Sequence, residues 1–244
     1  KVFIEIIAKN VNPARSSVID AGMNRGYFTM LAARLVYDVI SFELSKTCIG
    51  KALGSLDEMG LSSKVQIKQT GLTFEDGGFI AVDDKCLGGR SIKDSAPGRE
   101  GEVPLLSLAT ALSQFHVDPH RQIALLKVDI EGHEYEVLRG FGVEAFIRFN
   151  IKHVMLEASS HIWTGDLSEA VLFFKQVASL SSCVYCLDPN LDPKKCSFRE
   201  TLDHRVGKLY EVIDFSQALN RTFEYHSNPC CGNFWFRDIG SKTF

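Results

Sequence analysis

The sequence predicts an α/β protein built on an open, mostly parallel β-sheet with helices on both faces. Three observations carry that expectation. Within Ser17–Phe28 a short apolar strand, Val18-Ile19, runs into a turn bearing Gly22 and Gly26 and then into an amphipathic helix. Further apolar runs of strand length alternate with stretches of helical spacing, the order that builds a parallel sheet. Ile123–Val128 is apolar throughout except for Lys127, as a strand covered on both faces has to be.

Bulk properties bound the rest. A chain of 244 residues has room for one large α/β domain with a proper core, so residues 1–244 are read as a single domain. The hydrophobic share is 45% and the charged share 23%, an ordinary globular composition. Basic side chains number 27 and acidic ones 30, a net charge of −3, which provides neither a basic stripe for nucleic acid nor a polybasic membrane patch. No apolar run approaches the roughly 20 residues that span a bilayer. The chain starts at Lys1, which leaves room for an upstream segment removed before that point. The default compartment is therefore cytoplasmic and the secretory lumen the alternative. The oligomeric state stays open.

Val2–Ala8 reads as a short strand or helix ended by Asn12-Pro13. The strand at Val18-Ile19 runs into Asp20. Gly22 suits a positive φ and a close backbone approach, and Gly26 opens helix Tyr27–Leu35 without a Cβ in the way. The free N–H groups of that helix start favour a carboxylate. A second apolar run, Val39–Phe42, ends in Glu43, 21 residues past Gly22. An acid at that place on the second strand accepts hydrogen bonds from ribose hydroxyls, and a solvated surface glutamate is the plain alternative. Leu44–Met59 has helical spacing with Gly60 as its C-cap. Val65–Lys68 alternates like a third strand and leads to Gly71 and Leu72, where an adenine has room.

From Glu75 to Glu102 the composition turns to Gly, Asp, Lys and Ser, and residues 75–102 are read as a hairpin around Phe79–Val82 followed by a mobile loop, Gly88–Gly101. Val103–Phe115 restarts order with an edge strand and a helix. Ile123–Val128 then ends in the ionisable cluster Asp129, Glu131 and His133, and another buried strand, Ile151–Leu156, ends in Glu157. Leu167–Leu180 is an amphipathic helix, Cys183–Leu187 a strand, Asp188–Pro193 a turn-rich excursion and Val206–Leu219 a strand or helix. Asn233–Phe236 is the last strand, giving one antiparallel strand at the sheet edge. Four strands thus finish at Asp20, Glu43, Asp129 and Glu157. Each acid alone suits a helix N-cap, but the set lines the crevice where open α/β sheets bind ligands.

Five of the seven cysteines lie in the last third: Cys183, Cys186, Cys196, Cys230 and Cys231. Cys183-x-x-Cys186 falls in a strand-like run whose alternate residues face opposite ways, which disfavours zinc. Buried thiols are the preferred reading, and a disulfide involving Cys196, Cys230 or Cys231 is the alternative. Asn220-Arg-Thr222 fits a glycosylation sequon, of consequence only in a secretory compartment.

The Asp20-x-Gly22-x-x-x-Gly26 turn departs from the G-x-G-x-x-G of dinucleotide sites and resembles the first motif of class I S-adenosylmethionine (SAM) methyltransferases. With Val18–Phe28, Ser41–Glu43, the run Leu125-Leu-Lys-Val-Asp-Ile-Glu-Gly-His-Glu134 with Val137-Leu138 and Gly140, and Val154–Glu157, the chain resembles the FkbM-type family of SAM-dependent methyltransferases over about 140 residues. The resemblance implies a Rossmann-like, seven-stranded fold, SAM as methyl donor, and O-methylation of a hydroxyl on a sugar or natural product, hence a small-molecule or glycan acceptor. It implies cofactor contacts at Asp20, Gly22, Asn24, Gly26, Tyr27, Glu43, Leu44, Gly71, Leu72 and Asp129. Met23 stands where the family usually has alanine, and Leu44 where it often has proline; neither removes a charged contact. Beyond about Ser160 the match is loose, so the acceptor does not carry over.

Methyl transfer to a hydroxyl gains from alignment and from a general base. The candidates for that catalytic role are Asp129, Glu131 and His133, the last having the right intrinsic pKa but sitting at the start of a helix. Glu157 and His161 are candidate extensions of the acceptor pocket. Asp129, Glu131 and Glu157 are also hard oxygen donors of the kind Mg²⁺ takes, but nothing in the sequence fixes their separation, so no metal site is assigned. Two other classes remain open: a catalytically silent SAM-fold binding protein, and, against the glycine spacing, an NAD(P)-dependent oxidoreductase.

Overall fold

The computed structural model describes residues 12, 15–35, 37–82, 86, 93–94, 102–114, 121–158, 167–187, 198–203, 207–212, 218 and 233–241. Val2–Ala8, most of Gly88–Gly101, Asp188–Pro193, His161 and Asn220 lie outside them, as do the readings placed there.

β1 (Ser16–Ala21) is buried along its whole length, as its apolar sequence requires, and pairs in parallel with β2 (Asp38–Glu43) on one side and β8 (Gln122–Val128) on the other. β3 (Val65–Gln69) extends the sheet beyond β2, and β9 (Val154–Glu157) extends it beyond β8, both in parallel. Next come β13 (Asn233–Arg237), antiparallel to β9, and β10 (Cys183–Cys186), antiparallel to β13. The hairpin of β11 (Phe198–Asp203) and β12 (Gly207–Val212) completes the order β11-β12-β10-β13-β9-β8-β1-β2-β3.

The expected seven strands with one antiparallel edge are corrected on two counts. Among the described residues the sheet has nine strands, and the reversed β13 is internal. From β3 to β10 only β13 runs backwards; β12 then reverses again, because the hairpin takes up the backbone groups that β10 would otherwise leave open as a sheet edge. Val103 likewise belongs to no edge of this sheet. β7 (Glu102–Ser107) joins β4 (Gly71–Thr73), β5 (Phe79–Ala81) and β6 (Lys93–Asp94) in a second sheet of order β4-β7-β5-β6.

Helices cover both faces of the main sheet. α1 (Tyr27–Arg34) buries Ala32 and Ala33 against Val18, Val39 and Leu125. α2 (Lys46–Glu58) starts at Ser45, whose side chain accepts the Cys48 N–H, and buries Ala52 and Leu56. On the opposite face α3 (Leu108–Gln114), α4 (Glu134–Phe141) and α6 (Leu167–Leu180) bring Leu112, Leu138 and Phe174 onto Ile19, Leu126, Phe234 and Phe236. α5 (Val143–Arg148) adds Phe146 to that cluster. A ring as fully buried as Phe174 contributes about 2–3 kcal/mol by its removal from water. Among the described residues no helix is long and apolar enough to cross a membrane.

The neighbour order β9-β8-β1-β2 carries the site. Val128 is opposite Leu156, so Asp129 and Glu157 follow side by side, while Asp20 and Glu43 stand at the same edge of the adjacent strands.

Candidate functional site

At this edge the chain leaves β1 through Gly22, whose φ is +81° and whose N–H donates to the Phe42 carbonyl at 3.0 Å. A Cβ at Gly22 would stand 1.8 Å from the Asp129 carbonyl oxygen, so glycine alone lets the turn lie against the end of β8. The turn and the start of α1 enclose a cleft of about 410 Å³. Its lining comprises Gly22, Met23, Asn24 and Arg25 of the turn, Tyr27 and Phe28 of α1, Lys127 and Asp129 of the β8 end, and Cys86.

Charge in the cleft is ordered around Lys127. Its ammonium lies 3.4 Å from Asp20 Oδ1, 3.0 Å from Asp129 Oδ2 and 5.0 Å from the centre of the Phe28 ring. Burial alone would lower the Lys127 pKa; the charges of Asp20 and then Asp129 outweigh it and hold the ammonium above its usual value. Asp20 is itself buried and accepts the Thr29 hydroxyl at 2.7 Å, and Thr29 and Ser41 share a further bond at 2.8 Å.

The two neighbouring strand-end acids divide one proton between them. Burial works against the charge of Asp129, but its hydrogen bond with Glu157 and the Lys127 ammonium hold it below the usual carboxylate range. Glu157 is pushed up to about 8, first by that same hydrogen bond and then by burial and the charge of Asp129. One carboxylate and one carboxylic acid thus stand together, the pattern that fits a group for acid–base work near neutrality.

Glu43 is positioned by backbone donors: Oε2 accepts the Asn24 N–H and Oε1 the Ser45 N–H, both at 2.8 Å. Asn24 takes a left-handed conformation, φ 51°, to present that N–H.

The structure brings Gly22, Asn24, Tyr27 and Asp129 together in the cleft wall, with Gly26 (φ +81°) between two lining residues and Glu43 behind Asn24. It places other expected residues elsewhere. Asp20 is 1% exposed and lies outside the cleft lining, where it pairs with Lys127 and accepts the Thr29 hydroxyl. Gly71 is buried in β4, where a Cβ would meet Leu105 Cδ2 at 2.5 Å and Leu44 Cδ2 at 3.1 Å. Leu72 packs on the main core. These contacts show Leu44, Gly71 and Leu72 packed around β4, outside the residues that line the cleft.

The two other acid–base candidates also lie outside the lining. His133 is the N-cap residue of α4, and Glu131 is exposed at φ 54° in the loop before it. The residue that shapes this loop is Glu134, fully buried, whose carboxylate accepts the N–H groups of Ile130 and Gly132. Among the described residues no group of three His, Cys, Asp or Glu side chains could hold a metal ion, which leaves the Mg²⁺ option without support.

The cysteine reading is corrected too. Cys48 of α2 and Cys86 form a disulfide, and Cys186 is disulfide-bonded with its partner outside the described residues. Cys183 is a free thiol. Lys127 did carry a signal in the sequence, as the one charge inside an apolar run, since a buried ammonium demands counter-charges. The pairing of Cys48 with Cys86 had none, because 38 residues separate them and only the fold brings them together.

Comparison with known proteins follows this geometry. The family model described as the methyltransferase FkbM domain matches residues 20–185. No curated protein matches. The chain is similar to a solved rRNA methylase from Streptococcus thermophilus, at 9% identity over 96% of this chain and 93% of that one, with a TM-score of 0.46. It is similar to the O-methyltransferase TomG from Streptomyces achromogenes, involved in tomaymycin synthesis and solved with SAM, at 9% identity over 91% and 73% and a TM-score of 0.42. A third likeness is to a putative tRNA (m1A22) methyltransferase from Streptococcus pneumoniae, also solved with SAM, at 11% identity over 100% and 75% and a TM-score of 0.41. At these scores the likenesses decide nothing.

Proposed function

The chain belongs to the methyltransferase FkbM domain family, and from that membership we propose that it is a SAM-dependent O-methyltransferase acting on a hydroxyl of a small-molecule or glycan acceptor. What supports an oxygen acceptor is the placement of Asp129 in the cleft lining, ion-paired with Lys127 and beside Glu157 at the end of the adjoining strand.

The residues present fit SAM. A cleft of about 410 Å³ lies in the range of small-ligand sites, and the Gly22 turn admits a ligand close to its backbone. Gly22, Asn24 and Tyr27 would hold the cofactor, Glu43 would accept its ribose hydroxyls, and Arg25 is free to meet its carboxylate. SAM, when bound, supplies a methyl group on a sulfonium. Asp129, lining the cleft, orients the acceptor hydroxyl by accepting its hydrogen bond, and the Asp129–Glu157 pair takes the hydroxyl proton. Lys127 keeps Asp129 ionised for that task. A general base of this kind is worth about 10² to 10⁴-fold.

The compartment we propose is an oxidising one such as the secretory lumen. Three disulfide-bonded cysteines, Cys48, Cys86 and Cys186, support it, since disulfides are rare where thiol reductants prevail. The test of function is calorimetric titration with SAM, followed by transfer of labelled methyl from SAM to a panel of sugars and polyols. Binding with label on an oxygen is expected; failure to bind SAM, or label found only on nitrogen, would end the proposal.

A further inference from the structure

The disulfide reaches the cleft wall, and the chemistry above gives it no task. Cys86 is buried, lines the cleft, and is bonded across 38 residues to Cys48, itself buried in α2. The two sulfurs lie 3.6 Å and 3.9 Å from Asn24 Oδ1. Bonded sulfur has no proton to give, so these are packing contacts that hold the Asn24 side chain in place.

From Asn24 the contacts form a ring. Its N–H donates to Glu43 Oε2; Glu43 Oε1 accepts the Ser45 N–H; the Ser45 hydroxyl accepts the Cys48 N–H; and Cys48 Sγ closes the ring directly against Asn24 Oδ1, with the disulfide fixing Cys86 Sγ beside it. Asn24 holds a left-handed backbone, φ 51°, a conformation asparagine adopts more readily than other non-glycine residues. Cys48 sits in the first turn of α2, so the bond ties Cys86, on the cleft wall, to that helix and keeps both sulfurs against Asn24.

We infer that the Cys48–Cys86 disulfide is a positioning element of the cofactor site: it holds Asn24, and through Asn24 the Glu43 carboxylate, where the ribose of SAM is received. The inference rests on the SAM reading above. It makes the affinity for cofactor, rather than the methyl-transfer step, depend on this bond.

The experiment compares the wild-type chain with the double variant Cys48→Ser, Cys86→Ser, both checked for folding by circular dichroism, using SAM itself as the probe. The variant is expected to lose about tenfold in SAM affinity, the worth of one hydrogen bond to a charged group, with kcat at saturating SAM changed less than about twofold. A purely structural bond would lower kcat and affinity together, or neither. Glu43→Gln supplies the second arm. If the disulfide acts through Glu43, the double serine change costs little further affinity in the Glu43→Gln background, because residues in one network do not add.

Where the double variant fails to fold, the wild-type protein is reduced in its folded state with a water-soluble phosphine. The disulfide then gains two electrons and two protons, the phosphine becomes its oxide with oxygen from water, and mass mapping selects conditions that open only Cys48–Cys86. A wild-type chain that does not bind SAM overturns the functional reading. A wild-type chain that binds, with an opened or substituted form that binds equally well, overturns this inference alone.

Discussion

Replacing Glu43 by glutamine tests the geometry of the cofactor cradle most directly. In the native chain each carboxylate oxygen of Glu43 takes one backbone N–H at 2.8 Å and keeps a second lone pair for a ligand. Glutamine offers one oxygen and one NH₂ group, so one of the amides of Asn24 and Ser45 faces a donor and loses its partner. A charged acceptor for the ribose is lost at the same time. Hydrogen bonds to charged groups are worth about 1.5–3 kcal/mol, and the Asn24 bond is solvent-exposed, so the lower half of that range applies. The expected loss of SAM affinity is about 10 to 100-fold. Isothermal titration gives the Kd, and a thermal melt reports whether the fold survives. A Kd within about twofold of wild type, with the melt unchanged, would refute the assignment of Glu43 to the ribose.

Other perturbations bear on the charge network and the tether. Lys127→Met leaves Asp20, 1% exposed, without its counter-charge, and is expected to cost about 3–5 kcal/mol in urea unfolding. Adding Asp20→Asn should return part of that loss; a single variant as stable as wild type would show that the pair does not matter. The pH profile of kcat/KM should rise through about 8 as the Asp129–Glu157 pair gives up its proton, and Glu157→Gln should flatten it. The same shift has a sign for stability. The native chain keeps on Glu157 a proton that the unfolded chain releases near 4.5, so stability falls as pH climbs from there to about 8, and urea midpoints on either side of that window should differ less in Glu157→Gln. Opening the Cys48–Cys86 loop should cost about 4 kcal/mol if chain entropy governs, measured as the change in unfolding free energy of the double serine variant; no change would mean the tether leaves the unfolded chain unrestricted.

The parts of the fold that follow from apolar periodicity were legible. β1, β2, β8 and β9 announce themselves as apolar runs ending in acids, because strands buried on both faces leave polar residues only at their tips. α6 matches its sequence expectation from Leu167 to Leu180 for the same reason. What escaped was structure decided by distant partners. β4 is three residues long and means nothing until β7 pairs with it, so the packing of Gly71 against Leu105 left no signal in the sequence. β11 is rich in charge because it lies at the outer edge, where Arg199 pairs with Glu211 across the hairpin. In the site, the glycine turn and Asp129 were readable from spacing. The burial of Asp20, the service of Lys127 and Glu134, and the sulfur bridge depend on tertiary contacts that spacing does not encode.

The place of β13 bears on how this chain acquires its shape. The segment made last among the strands, 233–237, occupies a slot between β9 and β10 rather than a rim. It pairs with both β9 and β10 and brings Phe234 and Phe236 into the interior they share. The join between the parallel half and the reversed strands is thus made by backbone partners about 80 residues apart in the chain, a non-local pairing of the kind that slows folding.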